Sequence, residues 1–180
     1  MFAFFHVVIE PKPLKFLAGI LVVDDSGDPR EFRCTSPVQP SAVQQILWGQ
    51  RLQRYVSTEL LLLPLVQSLE LPADLVLVQR EDLLAARDQI NQPLLMVSHE
   101  ESNDSEAAAQ HRTAIPIPSV EGPERSVFLQ SARGYEEDLA IGHEVIHRFV
   151  QACYPLEPFQ RIEQALKMLK PRLEGAGRTQ

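Results

Sequence analysis

The stretch that decides the fold is residues 17–38, LAGILVVDDSGDPREFRCTSPV. It opens with an apolar run of strand length, Leu17 to Val23. A turn dense in Asp, Gly and Pro follows from Asp24 to Pro29. Arg30 to Val38 then alternates polar and apolar residues, which is the period of a half-buried strand. The stretch therefore predicts an antiparallel β-hairpin.

A further strand is predicted before the hairpin and a long helix after it. Phe4 to Ile9 is rich in aromatic and β-branched residues, which favours a strand. Ser41 is placed as an N-cap with Gln44 three residues later, the spacing of a capping box, so we expect a long helix to begin there. Gly49 is a candidate position for a break or bend in this helix. Strand, helix and strand then alternate over Leu75 to Val78, Glu81 to Ile90 and Pro93 to Val97. This order predicts that the last two strands are parallel.

The C-terminal half predicts two short strands and two helices after a polar segment. Residues from about 99 to 112 are polar and acidic, typical of a solvated loop or a disordered insert. Proline at alternate positions confines residues 115–118 to an edge strand or a linker. Another strand is predicted over Ser126 to Gln130, and helices over Gly134 to Cys153 and Pro158 to Leu169.

These elements predict one domain over residues 1–180, of the α/β or α+β class. We expect a small mixed sheet with an N-terminal antiparallel hairpin. One long helix follows the hairpin, and two C-terminal helices complete the fold.

The charge and the cysteine content restrict which cellular compartment and which classes of partner are expected. The chain has 17 basic and 24 acidic residues, a net charge of -7, and its basic residues are scattered. Proteins that neutralise nucleic-acid phosphates usually carry a basic face, so nucleic acid is a poor candidate partner. No apolar run approaches the roughly 20 residues that span a bilayer. Cys34 and Cys153 lie far apart, without zinc-finger spacing. We expect a cytoplasmic protein that does not contact a membrane.

One motif carries chemistry: residues 143–147, HEVIH, match H-E-x-x-H. On a helix, residues four apart share a face, so His143 and His147 can bind one zinc ion. The motif resembles that of the zincin metallopeptidases, over five residues of 180. The resemblance implies that Glu144 is the general base that deprotonates zinc-bound water. A third ligand is required, and Glu163 on the next predicted helix is the best candidate.

The surroundings of the HEVIH motif argue against a zinc site. Zincins usually have uncharged residues around the motif, whereas Arg148 directly follows the second histidine. The sequence also shows no obvious substrate-binding edge strand before this helix. A chance match is therefore favoured, and we expect no cofactor; zinc would be the cofactor only if the motif is functional.

A weaker set of acids lies in the hairpin. Asp24 and Asp25 follow an apolar strand, and Glu31 lies on the partner strand. Nucleases of the ribonuclease-H-like class hold Mg²⁺ with such acids, and the strand-strand-helix order up to Ser41 is similar to theirs. The acids fall in a tight turn, where Asp is used for its local hydrogen bonds, so a purely structural role is favoured.

Residues 18–49 also resemble an uncharacterised bacterial family with a hairpin followed by a long helix. The segments that carry the resemblance are AGILVVD at 18–24, EFRCTSPVQP at 31–40 and QILWG at 45–49. The resemblance implies the hairpin and helix and a bacterial cytoplasmic setting. It implies no activity, ligand or catalytic residue.

The leading functional hypothesis from the sequence is a non-catalytic cytoplasmic protein that acts through contacts with protein partners. It rests on the lack of a coherent active-site set, a basic face and a membrane segment. The alternative is a zinc-dependent hydrolase or peptidase that uses residues 143–147. The third hypothesis is a metal-dependent, nuclease-like site near Asp24. If the protein is an enzyme, the sequence favours the zinc-dependent hydrolase.

Overall fold

The computed structural model describes residues 1–99, 111–117 and 125–176. Within these ranges, seven strands form one mixed sheet in the order β3-β2-β1-β4-β5-β7-β6. The predicted α/β class is confirmed, with a larger sheet than expected. The strands are β1 Phe2–Pro11, β2 Leu14–Val23, β3 Pro29–Cys34, β4 Leu75–Val78, β5 Leu94–Ser98, β6 Arg112–Ile117 and β7 Arg125–Ser131.

Helices cover both faces of the sheet. A helical run and a 3-10 segment pack on one face, and the two C-terminal helices pack on the other. On the first face, the elements that pack on the sheet are α2 Leu52–Tyr55, a π-helical segment Val56–Leu62, α3 Leu63–Gln67 and the 3-10 segment Glu81–Gln89. They are preceded by α1 Ala42–Trp48 and a 3-10 turn Gly49–Arg51, in which no residue is buried. The second face carries α4 Glu137–Phe149 and α5 Glu157–Ala176.

The predicted hairpin is confirmed, and it joins a longer arrangement. β2 pairs antiparallel with β3, with Leu21 opposite Phe32. β2 also pairs antiparallel with β1 along its whole length, so that Gly19 lies opposite His6. On its other side, β1 pairs in parallel with β4, with Phe4 opposite Leu77. β4 and β5 are parallel, as the strand-helix-strand order predicts.

The helix that begins after Ser41 has the predicted capping box but is interrupted. The Ser41 side chain accepts a hydrogen bond from the Gln44 backbone N–H, and the Gln44 side chain accepts one from the Ser41 backbone N–H. The interruption lies at Gly49, the residue at which the sequence indicates a break or bend, because Gly49 adopts φ 49°, outside the helical region. As a result, Ile46 and Leu47 are 80% and 78% exposed, although their helical spacing predicts burial.

Four buried phenylalanines hold the C-terminal helices against the centre of the sheet. The ring of Phe149 on α4 lies 4.7 Å from that of Phe2 and 5.5 Å from that of Phe4. The ring of Phe159 on α5 meets Phe4 edge-on at 5.2 Å. Such aromatic pairs contribute roughly 0.5–1.5 kcal/mol each beyond the area that they bury. This cluster sets the position of α5 above β1.

The polar segment predicted at about 99–112 falls mainly on residues 100–110, outside the described residues. Arg112, at its predicted end, already belongs to β6. β6 is an edge strand of the sheet, in agreement with its alternating prolines. Among the helices that the structure describes, none combines the length and the apolar character needed to cross a membrane.

Candidate functional site

The strand order places a ligand-binding position between β1 and β4. The chain builds β2 and β3 on one side of β1 and then crosses to β4 on its other side. β1, β4 and β5 run parallel, so their carboxyl ends lie at the same edge of the sheet. In open α/β sheets, ligands bind outside the carboxyl ends of the strands at the point where the strand order reverses. Here that point lies between β1 and β4.

Polar side chains gather at this edge. If the β1–β4 register is continued from Phe4 and Leu77, His6 lies level with Gln79, the residue after β4. His6 Nδ1 is 3.2 Å from Gln79 Oε1, within hydrogen-bonding distance. His99 follows β5, and its Nδ1 lies 2.6 Å from the hydroxyl of Tyr154, in the connection from α4 to α5. Together with Glu163 on α5, we call these residues the strand-end site: His6, Gln79, His99, Tyr154 and Glu163.

Charged residues of α5 and of the β4 end surround His6. Glu163, Lys167 and Arg80 all act electrostatically on the imidazole. Lys167 Nζ donates to Glu163 Oε1 at 2.7 Å, and the hydrogen bond lowers the pKa of this carboxyl. Lys167 is 66% exposed, so its ammonium group is open to a ligand. The strand-end site therefore combines a histidine and an amide with one accessible cation, Lys167.

The imidazole of His6 is partly buried beside Phe159, whose ring centroid lies 6.4 Å away. This burial lowers the pKa of His6 below its usual value of 6.5. Lys167 and Arg80 lower the pKa further, whereas Glu163 and the hydrogen bond with Gln79 raise it, and the net direction is downward. The His6 side chain is consequently neutral at pH 7, with one ring nitrogen free to accept a proton or a hydrogen bond.

The lowered pKa of His6 predicts a loss of stability in acid. As the pH falls below 6.5, His6 takes up a proton in the unfolded chain before it does so in the folded protein. The free energy of unfolding therefore decreases until the pH reaches the folded-state pKa, below which the loss is complete. We expect the His6→Gln variant to lose less stability than the wild type between about pH 7.5 and about pH 5.5. Urea unfolding across this range measures it; parallel curves for the two proteins would contradict it.

The HEVIH motif lies on the solvent-facing side of α4. The side chains of His143, Glu144 and His147 are exposed, and the two imidazole centroids are 6.4 Å apart. The opposite face of α4 packs on the sheet so closely that a Cβ on Gly142 would lie 2.1 Å from Leu95 Cδ1.

The structure does not bring the predicted third ligand to the HEVIH pair, because Glu163 lies beside His6 and binds Lys167. In the described ranges, no group of three or more His, Cys, Asp or Glu residues is placed to hold a metal ion. Zinc binding by His143 and His147 stays a prediction.

The hairpin acids have structural partners. Asp24 accepts hydrogen bonds from the backbone N–H groups of Ser26 and Asp28, at 2.9 and 3.0 Å, and from Arg30 Nε at 2.8 Å. Glu31 accepts the backbone N–H of Leu71 at 2.9 Å. Because β2 is antiparallel to β1, Asp24 also follows the end of β2 that lies beside the amino end of β1. The turn therefore stands at the other end of the sheet from the strand-end site.

Sequence reasoning did not single out His6, Gln79 or His99, although each gives a recognisable signal. His6 interrupts the apolar run of β1, whereas Gln79 and His99 directly follow the apolar runs of β4 and β5. Polar residues at such places meet when the strands are parallel and adjacent. The pairing of β1 with β4, which joins residues more than 70 positions apart, was the missing information.

The fold is similar to that of endonuclease V. The structure of endonuclease V from Bacillus subtilis matches 97% of this chain and 81% of its own, with a TM-score of 0.61 and 11% sequence identity. Endonuclease V from Ciona intestinalis, solved in complex with a 24mer DNA containing an inosine followed by a ribo-adenosine, matches 93% of this chain and 86% of its own. Its TM-score is 0.52 and its identity 11%. No family model matches the sequence, and no curated protein matches it either.

These similarities correct two expectations. The hypothesis of a non-catalytic protein that acts through protein contacts is contradicted, because the chain has the fold of known nucleases. The view that nucleic acid is a poor candidate partner is contradicted as well, because one of these nucleases is solved bound to DNA. The charge argument fails because net charge averages over the whole surface, whereas a ligand meets only the charges near one site.

Proposed function

We propose that this protein binds nucleic acid at the strand-end site. The observation that carries the proposal is the coincidence of two features: an endonuclease V-like fold over nearly the whole chain, and a polar cluster at the reversal point of its sheet. The edge between β1 and β4 is where such a sheet presents a ligand site. Phosphodiesters are the ligand class that this fold handles in its solved relatives, and we extend that class to this chain.

The charges next to His6 support the proposal. Lys167 forms a solvent-exposed ion pair with Glu163, which contributes about 0–1 kcal/mol and yields readily to a competing phosphate. Arg80 flanks the site at the end of β4 and is held in place by Asp82, at 3.0 Å from Nε to Oδ1. Lys167 can contact a phosphate oxygen beside the imidazole and amide of His6 and Gln79. The site thus offers one exposed cation, Lys167, in an acidic protein.

The Lys167→Glu variant is expected to bind nucleic acid at least about tenfold more weakly than the wild type. A hydrogen bond to a charged group contributes about 1.5–3 kcal/mol, and reversal of the charge adds repulsion. Fluorescence anisotropy with labelled single- and double-stranded DNA and RNA of one sequence measures the dissociation constant. An inosine-containing duplex belongs in the same series, because the Ciona intestinalis nuclease was solved with such a base.

The matched control for Lys167→Glu is Arg148→Glu. Arg148 is 62% exposed and lies 3.8 Å from Asp25 of the hairpin turn, at the opposite end of the sheet. Both variants change the net charge equally, so a general electrostatic effect would weaken binding in both. We expect Arg148→Glu to bind as the wild type does. Equal weakening in the two variants, or no binding by the wild type, would refute the proposed site.

Cleavage of the bound strand is a second candidate function. It is favoured by the endonuclease fold and by His6, because a neutral imidazole can accept a proton from an attacking hydroxyl or water. Denaturing electrophoresis of the same labelled probes after incubation decides it. Fragments that appear with the wild type and are absent with His6→Gln would support cleavage at this site.

A further inference from the structure

The side chains at the reversal point do not fit a magnesium site. Nucleases with two-metal sites clamp the attacking and leaving oxygens between divalent ions, and Mg²⁺ is held in proteins by carboxylates and waters. Here the two positions that face each other across β1 and β4 are an imidazole, His6, and an amide, Gln79. Within the described residues of the strand-end site, Glu163 is the single carboxylate.

The nearby carboxylates are already engaged by cations. Glu163 accepts from Lys167, and Asp82 accepts from Arg80. A metal ion at Glu163 would find one carboxylate there and would be repelled by the ammonium group of Lys167 beside it. In the described ranges, no arrangement of three or more potential ligands exists at this edge. Acidic residues follow His99 in the sequence, outside the described residues, so Mn²⁺ binding has to be measured with the full-length protein.

We infer that the strand-end site engages nucleic acid without a divalent metal ion, and that Lys167 supplies the positive charge at the phosphate that a metal ion supplies in metal-dependent nucleases. The inference rests on the proposed function, since it specifies how the same site meets a phosphodiester. His6 and Gln79 then act as neutral hydrogen-bonding groups: an imidazole and an amide can each donate to a phosphate oxygen or pair with a base edge. No bond to a metal is needed to orient the ligand.

The direct test is Mn²⁺ binding by the full-length protein in the absence of nucleic acid, followed through the electron paramagnetic resonance signal of free Mn²⁺. The wild type should leave the ion free. The His6→Asp/Gln79→Asp variant, which places two further carboxylates at the site besides that of Glu163, should bind the ion. His6→Asn/Gln79→Asn is the matched control, because it makes a similar change in size without adding charge. Circular dichroism establishes that both double variants fold.

A second arm measures nucleic-acid affinity by fluorescence anisotropy with EDTA and with Mg²⁺ at matched ionic strength. We expect the same dissociation constant in both conditions. Retention of Mn²⁺ by the wild type and its release by His6→Asn/Gln79→Asn would overturn the inference, as would an affinity that disappears in EDTA. If the wild type binds no nucleic acid in either condition, the proposed function fails, and the Mn²⁺ measurement still decides the metal question by itself.

Discussion

The Asp138→Asn variant is expected to lose about 3–5 kcal/mol of its free energy of unfolding. Asp138 lies at the start of α4 with its side chain only 1% exposed, and it binds Arg87 of the 3-10 segment through both carboxylate oxygens. It also accepts the backbone N–H of Leu94, at the start of β5, at 3.2 Å. The substitution removes the charge that compensates a largely buried guanidinium and leaves amide hydrogens facing its donors. Urea unfolding monitored by circular dichroism measures the loss.

The control for Asp138→Asn is Asp74→Asn, which removes a charge from an exposed ion pair. The carboxylate of Asp74 is 63% exposed and pairs with the N-terminal amine. Exposed pairs contribute about 0–1 kcal/mol, so this variant should remain close to the wild type. Replacement of the whole buried pair by Arg87→Met/Asp138→Leu should cost less than Asp138→Asn alone. A loss below about 1 kcal/mol for Asp138→Asn would show that the ion pair between Asp138 and Arg87 does not hold α4 against the 3-10 segment.

The Phe159→Ala variant is expected to lose about 3–5 kcal/mol of stability and to disturb the strand-end site at the same time. Phe159 is 1% exposed, packs edge-on against Phe4, and lies beside His6. Its truncation opens a cavity between α5 and β1 and admits water to the imidazole. Because burial is the main cause of the lowered pKa of His6, that pKa should rise towards 6.5.

Two measurements test the Phe159→Ala variant. Urea unfolding gives its free energy of unfolding, and pH titration of the His6 ring signals by NMR gives the pKa of His6. Met168→Ala serves as the control, since Met168 lies on the same helix with its side chain 81% exposed. Its truncation should change stability by no more than about 0.5 kcal/mol. If the two variants are equally stable, α5 is not held by the phenylalanine cluster.

The parts of the fold that the sequence predicts are those encoded by neighbouring residues. The hairpin follows from a turn-rich segment between two strand patterns, and the Ser41 cap from a residue three positions away. The parallel pairing of β4 and β5 follows from the helical crossover predicted between them. Gly49 is a local signal for the break in the helix, but the exposure of Ile46 and Leu47 does not follow from the sequence, because their helical spacing predicts burial.

The candidate site depended on contacts that local patterns do not encode. His6 and Gln79 are 73 positions apart, and their meeting requires knowledge that β4 is placed beside β1. The burial of Asp138 also depends on a contact that is distant in the sequence. In the sequence Asp138 is one of three acids that suit the start of a helix, and its burial depends on Arg87, 51 positions earlier.

The HEVIH motif is a local pattern that suggests more than the described residues support. The spacing of His143 and His147 predicts a shared helix face, which the structure has. Spacing says nothing of a third ligand, and the described residues provide none. A match over five residues therefore does not by itself establish a metal site.

We propose that nucleic acid binds where β4 ends beside His6 of β1, and amide chemical-shift mapping tests this most directly. An unlabelled oligonucleotide of the type that binds best by anisotropy is titrated into the ¹⁵N-labelled protein. The account predicts that the largest shifts fall on Gln79, Arg80 and the α5 segment from Glu163 to Lys167, with His6 among the affected residues. Shifts confined to the hairpin turn around Asp24, or to the exposed face of α4 that carries His143 and His147, would contradict it.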